Sequence, residues 1–246
     1  MTPSTASPPT PSRQLALLLR LDARLLLRHG VVASVAVVTA GWAGLFVALP
    51  AELARLLVAP ALYLDAAIVG LMFVGGAVLI ERRQGSLEAL AVSPLRPGGY
   101  VASKVIALTV LAMVATVVIA AVATPTLRPA PLLLGVLLLS VPVLLVALGV
   151  AARAGTITAY LFALQPATAL AVIPLVMVAG WMPAWLAWLG PTTGPYRLLE
   201  AGTGGAALTG AEWAAAVLVP VITSVLLWRW VLDRVATELF RSGRLA

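Results

Sequence analysis

Few side chains in this 246-residue chain are equipped for chemistry. There is one histidine, His29, and no cysteine. A histidine pair or thiolate set for a metal, a cysteine nucleophile and a disulfide are therefore excluded. No Gly-x-Ser-x-Gly turn presents a serine nucleophile. The one lysine, Lys104, follows Tyr-Val-Ala-Ser. It does not follow the glycine-framed run whose backbone amides cradle phosphates, so the chain carries no P-loop. A membrane enzyme is disfavoured on these grounds, and no cofactor is expected on the chain.

Two polar residues inside apolar runs remain as candidates for a substrate path or gate. Asp65 is the only acid within such a run. A carboxylate at membrane depth costs about 2.5–3.5 kcal/mol on insertion scales, so it should face protein or water. It would contact a cationic substrate or a gate; alternatively it reaches the headgroups or pairs with Arg55 or Arg128. Gln165, beside Pro166, would line a central path, or hydrogen-bond a neighbouring helix or the backbone that Pro166 frees.

The richest polar stretch is Glu81-Arg82-Arg83-Gln84-Gly85-Ser86-Leu87-Glu88-Ala89-Leu90-Ala91-Val92-Ser93-Pro94, continued by Leu95-Arg96-Pro97-Gly98-Gly99-Tyr100 and ending at Lys104. Gly85 can interrupt a preceding helix. Ser86 is a good N-cap, and Glu88 in the first turn suits the helix dipole. Pro94 stops the new helix after about two turns. Leu87, Leu90 and Ala91 form one apolar stripe on it. Two turns are marginal in water, so the stripe needs a surface. That surface is a partner's groove, in the helix-in-groove mode, or the bilayer itself.

The pattern Glu-Arg-x-x-Gly-Ser-Leu-Glu-x-Leu-x-x-Ser-Pro-Leu, followed by Tyr100 and Lys104, resembles the signature loop of type-2 ABC transporter permeases of the small drug-export type. Fluoroquinolone and daunorubicin export permeases are its nearest likenesses. Ser86, and often Ser93, stand where that family has Thr, and a hydroxyl cap is kept. The resemblance implies a coupling helix that docks on an ATP-binding subunit. By that resemblance the role falls on Glu81, Gly85, Ser86, Leu87, Glu88, Leu90 and Pro94. It further implies a separate ATP-binding-cassette ATPase, which would use the ATP. A second permease copy or a paralogue is implied as well, as homo- or heterodimer. A connecting helix before the first span and short outer helices around Met182–Tyr196 are similar to the family's. The function implied is export of a hydrophobic, drug- or lipid-like compound. The alternatives are an ion-coupled secondary transporter and a non-transporting assembly subunit.

The elements that must hold this loop follow from composition. Hydrophobic residues make up 62% of the chain and charged residues 10%. A soluble domain is near a quarter charged, so the lipid bilayer must take up the apolar surface. Six apolar runs lie at about 30–50, 60–80, 104–123, 131–151, 157–180 and 213–232. Each reaches about 30 Å as a helix, the depth of the hydrocarbon core. With the N-terminus inside, thirteen basic residues fall on inner segments and only Arg55, Arg128 and Arg197 on outer ones. The positive-inside rule then predicts both termini on the cytoplasmic side of the cytoplasmic membrane. The net charge of +7 lies at span ends, not on a soluble face, and no nucleic-acid partner is expected.

The first 12 residues, rich in Pro, Ser and Thr, read as a disordered tail. Residues 13–28 read as an amphipathic interfacial helix, with Arg13, Arg20, Arg24 and Arg28 in one sector. Asp22 breaks the pattern by projecting opposite them. The competing reading is the start of the first span. Residues 29–246 form the transmembrane domain. Trp181, Trp185 and Trp188 are spaced to share a helical face at the outer leaflet, and Tyr196 joins the same aromatic belt. Small residues recur every fourth position at Ala36, Ala40, Gly44 and Ala48, and at Ala159, Ala163, Ala167 and Ala171. Such rows let helices pack closely. By the resemblance, these two spans border the dimer interface. The alanine content is high enough for chance to compete. The fold class expected is an all-α membrane protein: six transmembrane helices, the interfacial helix, a cytoplasmic coupling helix and short outer helices before the last span.

Overall fold

Apolar runs too long for a soluble core, punctuated by charge and proline, become nine helices among the residues that the computed structural model describes, 11–84, 97–205 and 207–238. They are α1 (Pro11–Arg28), α2 (Val31–Ala48), α3 (Ala51–Arg83), α4 (Pro97–Ala123), α5 (Pro129–Ala151), α6 (Ile157–Val178), α7 (Ala184–Ala187), α8 (Thr193–Gly202) and α9 (Gly210–Glu238). Six of them, α2 to α6 and α9, are long and apolar enough to cross a membrane. Helices suit that solvent because each satisfies its backbone polar groups internally. The chain is an all-α, multi-pass membrane protein.

Three helices outrun their apolar stretches. α3 covers 33 residues, about 50 Å at 1.5 Å per residue, and begins at Ala51 rather than near Pro60. Glu52 and Arg55 lower the local hydropathy but do not oppose a helix; they lie exposed, 3.9 Å apart, one turn from each other. α9 runs to Glu238 for the same reason, and α4 starts at Pro97, which suits a first helical turn, despite Gly98 and Gly99. α1 starts at Pro11, two residues early, because proline suits a first helical turn. The short helix expected from Ser86 to Pro94 lies outside the described residues, with Gly85, Ser86, Leu87, Glu88, Leu90 and Pro94.

α3 and α5 form the buried centre, with α4 beside them and α2, α6 and α9 at the periphery. Leu62, Val74 and Val78 of α3 meet Leu139, Leu144 and Leu148 of α5 in one core. Two close approaches depend on glycine. A Cβ at Gly75 would fall 2.0 Å from the Tyr160 ring, and one at Gly149 would fall 2.0 Å from the Trp230 ring. These seat α6 on α3 and α9 on α5. Two tyrosines reinforce the first contact. Tyr63 of α3 donates its hydroxyl to the Ala171 carbonyl of α6 at 2.5 Å, and Tyr160 of α6 donates to the Leu71 carbonyl of α3. Pro174 leaves the Leu170 carbonyl without its helical amide, and the Thr192 hydroxyl stands 3.5 Å from it.

The stretch after α6 departs from the aromatic-belt expectation. Gly180 adopts φ 76°, which ends the helix, and α7 spans only Ala184–Ala187. The spacing of Trp181, Trp185 and Trp188 therefore defines no common face. Trp181 is 83% and Trp185 71% exposed, while Trp188 packs on Leu138, Leu198 and Ala216. Tyr196 is buried on α8, edge-on to Tyr63, instead of lying at a headgroup surface. α8 is wedged between α5, α9 and α3.

Candidate functional site

At one end of the bundle α1, α3 and α4 meet through charge. Tyr100 and Lys104, four residues apart, lie on one face of α4. Lys104 donates to Asp22 Oδ1 of α1 at 2.5 Å and to Glu81 Oε1 of α3. Tyr100 donates its hydroxyl to Glu81 Oε2 at 2.8 Å, and the Lys104 ammonium lies 5.3 Å from the Tyr100 ring centroid. Asp22, Glu81, Tyr100 and Lys104 are all buried. Buried charges cost several kcal/mol each in desolvation, which only near-complete pairing offsets. Here the pairing leaves one gap. Asp22 Oδ2 has no hydrogen-bond partner among the described residues.

The next residue along α3 reaches the other way. Arg82 donates to the carbonyls of Ala152 and Ala154 at 2.7 and 2.9 Å. These lie just past the end of α5, where carbonyls lack helical partners and the dipole favours a cation. Glu81 thus binds the end of α3 to α4, and through Lys104 to Asp22 of α1, while Arg82 binds it to the end of α5. In the sequence, residues 85–96 separate this fixed end of α3 from the first turn of α4. Of the residues assigned to coupling, Glu81 alone lies within the described structure.

Asp22 resolves the anomaly in α1. Arg13, Arg20, Arg24 and Arg28 are all exposed, while Leu18 and Asp22 are buried against the bundle. The acid that broke the arginine pattern is the one that meets the chain's only lysine. The sequence held the signal as a lone acid opposite a basic stripe, but spacing alone could not name its partner. His29 is exposed; its Nδ1 lies 2.9 Å from the Leu25 carbonyl, and its Nε2 lies 3.5 Å from Gln84. Among the described residues no cluster of His, Cys, Asp or Glu could hold a metal.

Asp65 stands apart from this cluster. It is buried on α3, beside Trp42 of α2. It pairs with neither Arg55 nor Arg128 among the described residues; Arg55 faces Glu52 instead. The ion pair with Arg55 or Arg128 is thus not formed among the described residues, and the helix turns the Asp65 side chain inward. Gln165 is exposed on α6. Ala36, Ala40, Gly44 and Ala48 of α2 are all exposed, as are Ala159 and Ala163 of α6; Ala167 and Ala171 are half-buried. At the opposite end Arg197 pairs with Glu200 at 2.5 Å and lies 3.9 Å from Glu212. Burial pushes the nearby Tyr196 phenol above the usual range; Glu200 adds to this and Arg197 opposes it.

A model of the fluoroquinolones export permease protein family matches residues 13–241. Two curated relatives are fluoroquinolones export permease proteins from Mycobacterium tuberculosis, strains CDC 1551 / Oshkosh and ATCC 25618 / H37Rv. Each is 29% identical to this chain over 190 residues, covering 76% of the chain and 80% of the relative.

Proposed function

Because the chain belongs to the fluoroquinolones export permease protein family, we propose that it is the membrane subunit of an ATP-driven exporter of fluoroquinolone-like, largely apolar drugs. A separate ATP-binding-cassette subunit supplies the energy, and a second copy or a paralogue completes the path. The complex lies in the cytoplasmic membrane with both termini cytoplasmic, in line with the thirteen-to-three asymmetry of basic residues.

The observation that carries this reading is the family match across the loop at 81–104 together with the geometry that frames it. A coupling segment works only if its flanks move as one piece. Glu81 and Lys104 are joined directly across that loop, and Arg82 ties the same end to α5. Force delivered between Arg83 and Pro97 would then reach α1, α3, α4 and α5 together. The exposed small-residue faces of α2 and α6 suit close packing against a second permease chain, and Gln165, exposed on the other side of α6 from that row, is the candidate for the path.

The test is co-expression with the cognate ATP-binding protein, followed by fluoroquinolone-stimulated ATPase and efflux from inverted vesicles. Stimulation by drug and ATP-dependent accumulation are expected. Assembly with no drug effect on either would count against the exporter reading.

A further inference from the structure

The charged cluster closes one end of a cavity of about 220 Å³. The cavity lies between α1, α3 and α4, with the start of α2 at its edge, and Leu26, Phe73 and Ala107 contribute to its apolar wall. Asp22, Glu81 and Lys104 line its polar end. Two carboxylates and one ammonium leave a formal excess of one negative charge there, and His29, the other titratable group on the wall, has its ring nitrogens at the Leu25 carbonyl and Gln84. Arg82 does not cancel it, since its guanidinium is committed to Ala152 and Ala154. The arginines of α1 are exposed, away from Asp22. Asp22 is 5% exposed, and its Oδ2 is buried with no donor among the described residues.

We infer that this cavity binds a hydrophobic monocation, a protonated amine on an apolar body. An ammonium carries three donors; a small turn of the Asp22 carboxylate would present Oδ2 to one of them. The cation would also balance the excess charge, which is worth more in a poorly solvated site than in water. A neutral alcohol offers one donor and no charge, and an anion would be repelled. Size agrees, since a cavity of about 150 Å³ already admits benzene. A phenyl ring on a short chain therefore fits. The amine is supplied by a lipid headgroup or by a free aryl-alkyl amine, and the recognition chemistry is shared. The inference concerns binding by this chain alone and does not depend on the exporter reading.

The experiment uses the full chain in phosphatidylcholine nanodiscs, titrated with 4-phenylbutylamine and with its neutral analogue 4-phenylbutanol. Amine affinity about tenfold above that of the alcohol is expected, equivalent to about 1.4 kcal/mol. Asp22→Asn should erase that difference. A Cβ at Gly76 meets nothing within 4 Å. Gly76→Leu should therefore fill the cavity and weaken both ligands about tenfold while leaving the ionic cluster intact. Ala107→Phe provides a second filled variant should Asp22→Asn or Gly76→Leu fail to fold. In nanodiscs containing phosphatidylethanolamine, a loss of apparent amine affinity identifies the lipid ammonium as the resident ligand. Unchanged affinity identifies the free amine, and both support the site. Equal affinity for amine and alcohol in the wild type would overturn the inference. So would unaltered amine binding in both filled variants.

Discussion

The Lys104 ammonium sits 2.5 Å from the Asp22 carboxylate, 82 residues earlier in the chain, with both side chains almost wholly buried. This contact fastens the amphipathic α1 to the start of α4. The same ammonium also binds Glu81, so one lysine serves three helices. Removing it strands two carboxylates, whereas removing Asp22 leaves the Lys104–Glu81 pair whole.

Lys104→Met should therefore cost more stability than Asp22→Asn. Breaking a buried pair by deleting one partner costs about 3–5 kcal/mol, and Lys104→Met belongs at the upper end. Equilibrium unfolding of the detergent-solubilised protein measures both. Glu81→Gln combined with Lys104→Met should cost less than the sum of the two single changes, because Asp22 alone, and no longer Glu81 as well, is then left facing the absent ammonium. An order with Asp22→Asn the more damaging would refute the three-helix arrangement.

Adjacent glycines on α3 should behave oppositely. Gly75→Ala places a methyl group against the Tyr160 ring, an overpacking cost of about 1–3 kcal/mol. Gly76→Ala meets open space and should gain up to about 1 kcal/mol of helix propensity. Thermal unfolding separates them, and Tyr160→Leu should recover part of the Gly75→Ala loss. Equal melting temperatures for the two alanine variants would show that Tyr160 does not press on Gly75.

Glu88→Arg and Leu90→Asp test the coupling role assigned to the loop. Each should lower drug-stimulated ATPase about tenfold, as expected for losing an anchor residue of a docking helix. Membrane insertion, checked by yield and gel filtration, should be unchanged. Wild-type stimulation in both variants would remove the coupling role from this segment.

Asp65→Asn distinguishes ATP-driven from ion-driven transport. The exporter reading expects ATP-dependent efflux to persist, within about tenfold, since the carboxylate is buried beside Trp42 and away from the cluster at Lys104. Proteoliposomes of this chain without an ATPase should show no proton-dependent uptake. Proton-driven uptake that disappears in Asp65→Asn would transfer the function to a secondary transporter.

The chain has no cysteine, so introduced ones report without background. Ala40→Cys and Ala163→Cys lie on the exposed faces of α2 and α6. Oxidation in membranes should yield a disulfide dimer of at least one of them. Val105→Cys, buried in the core, should yield none. Monomer at all three sites would place the permease interface elsewhere.

Much of the architecture was legible along the chain because the bilayer simplifies the problem. An apolar helix must be about 30 Å long and must satisfy its own backbone, so composition and run length already specify six spans. Helix ends were less legible. Hydropathy marks where the lipid-compatible stretch stops, but α3 continues through Pro60 to Ala51, where exposed polar residues do not oppose a helix. The tryptophans at 181, 185 and 188 misled for a related reason. Their spacing presumes an unbroken helix, and Gly180 with its left-handed backbone ends it.

What the sequence by itself determined is the class: an all-α, multi-pass membrane protein of the drug-export permease type. Those properties are local, written in run length, residue type and one short motif. Only the tertiary structure decided where the rare charges go. Asp22 was visible as an acid out of place and Lys104 as a solitary lysine, but electrostatic pairing acts through space, and 82 residues of chain separate them. Folding α1 against α4 makes that distance 2.5 Å, and with it creates both the anchored frame of the loop and the charged end of the cavity.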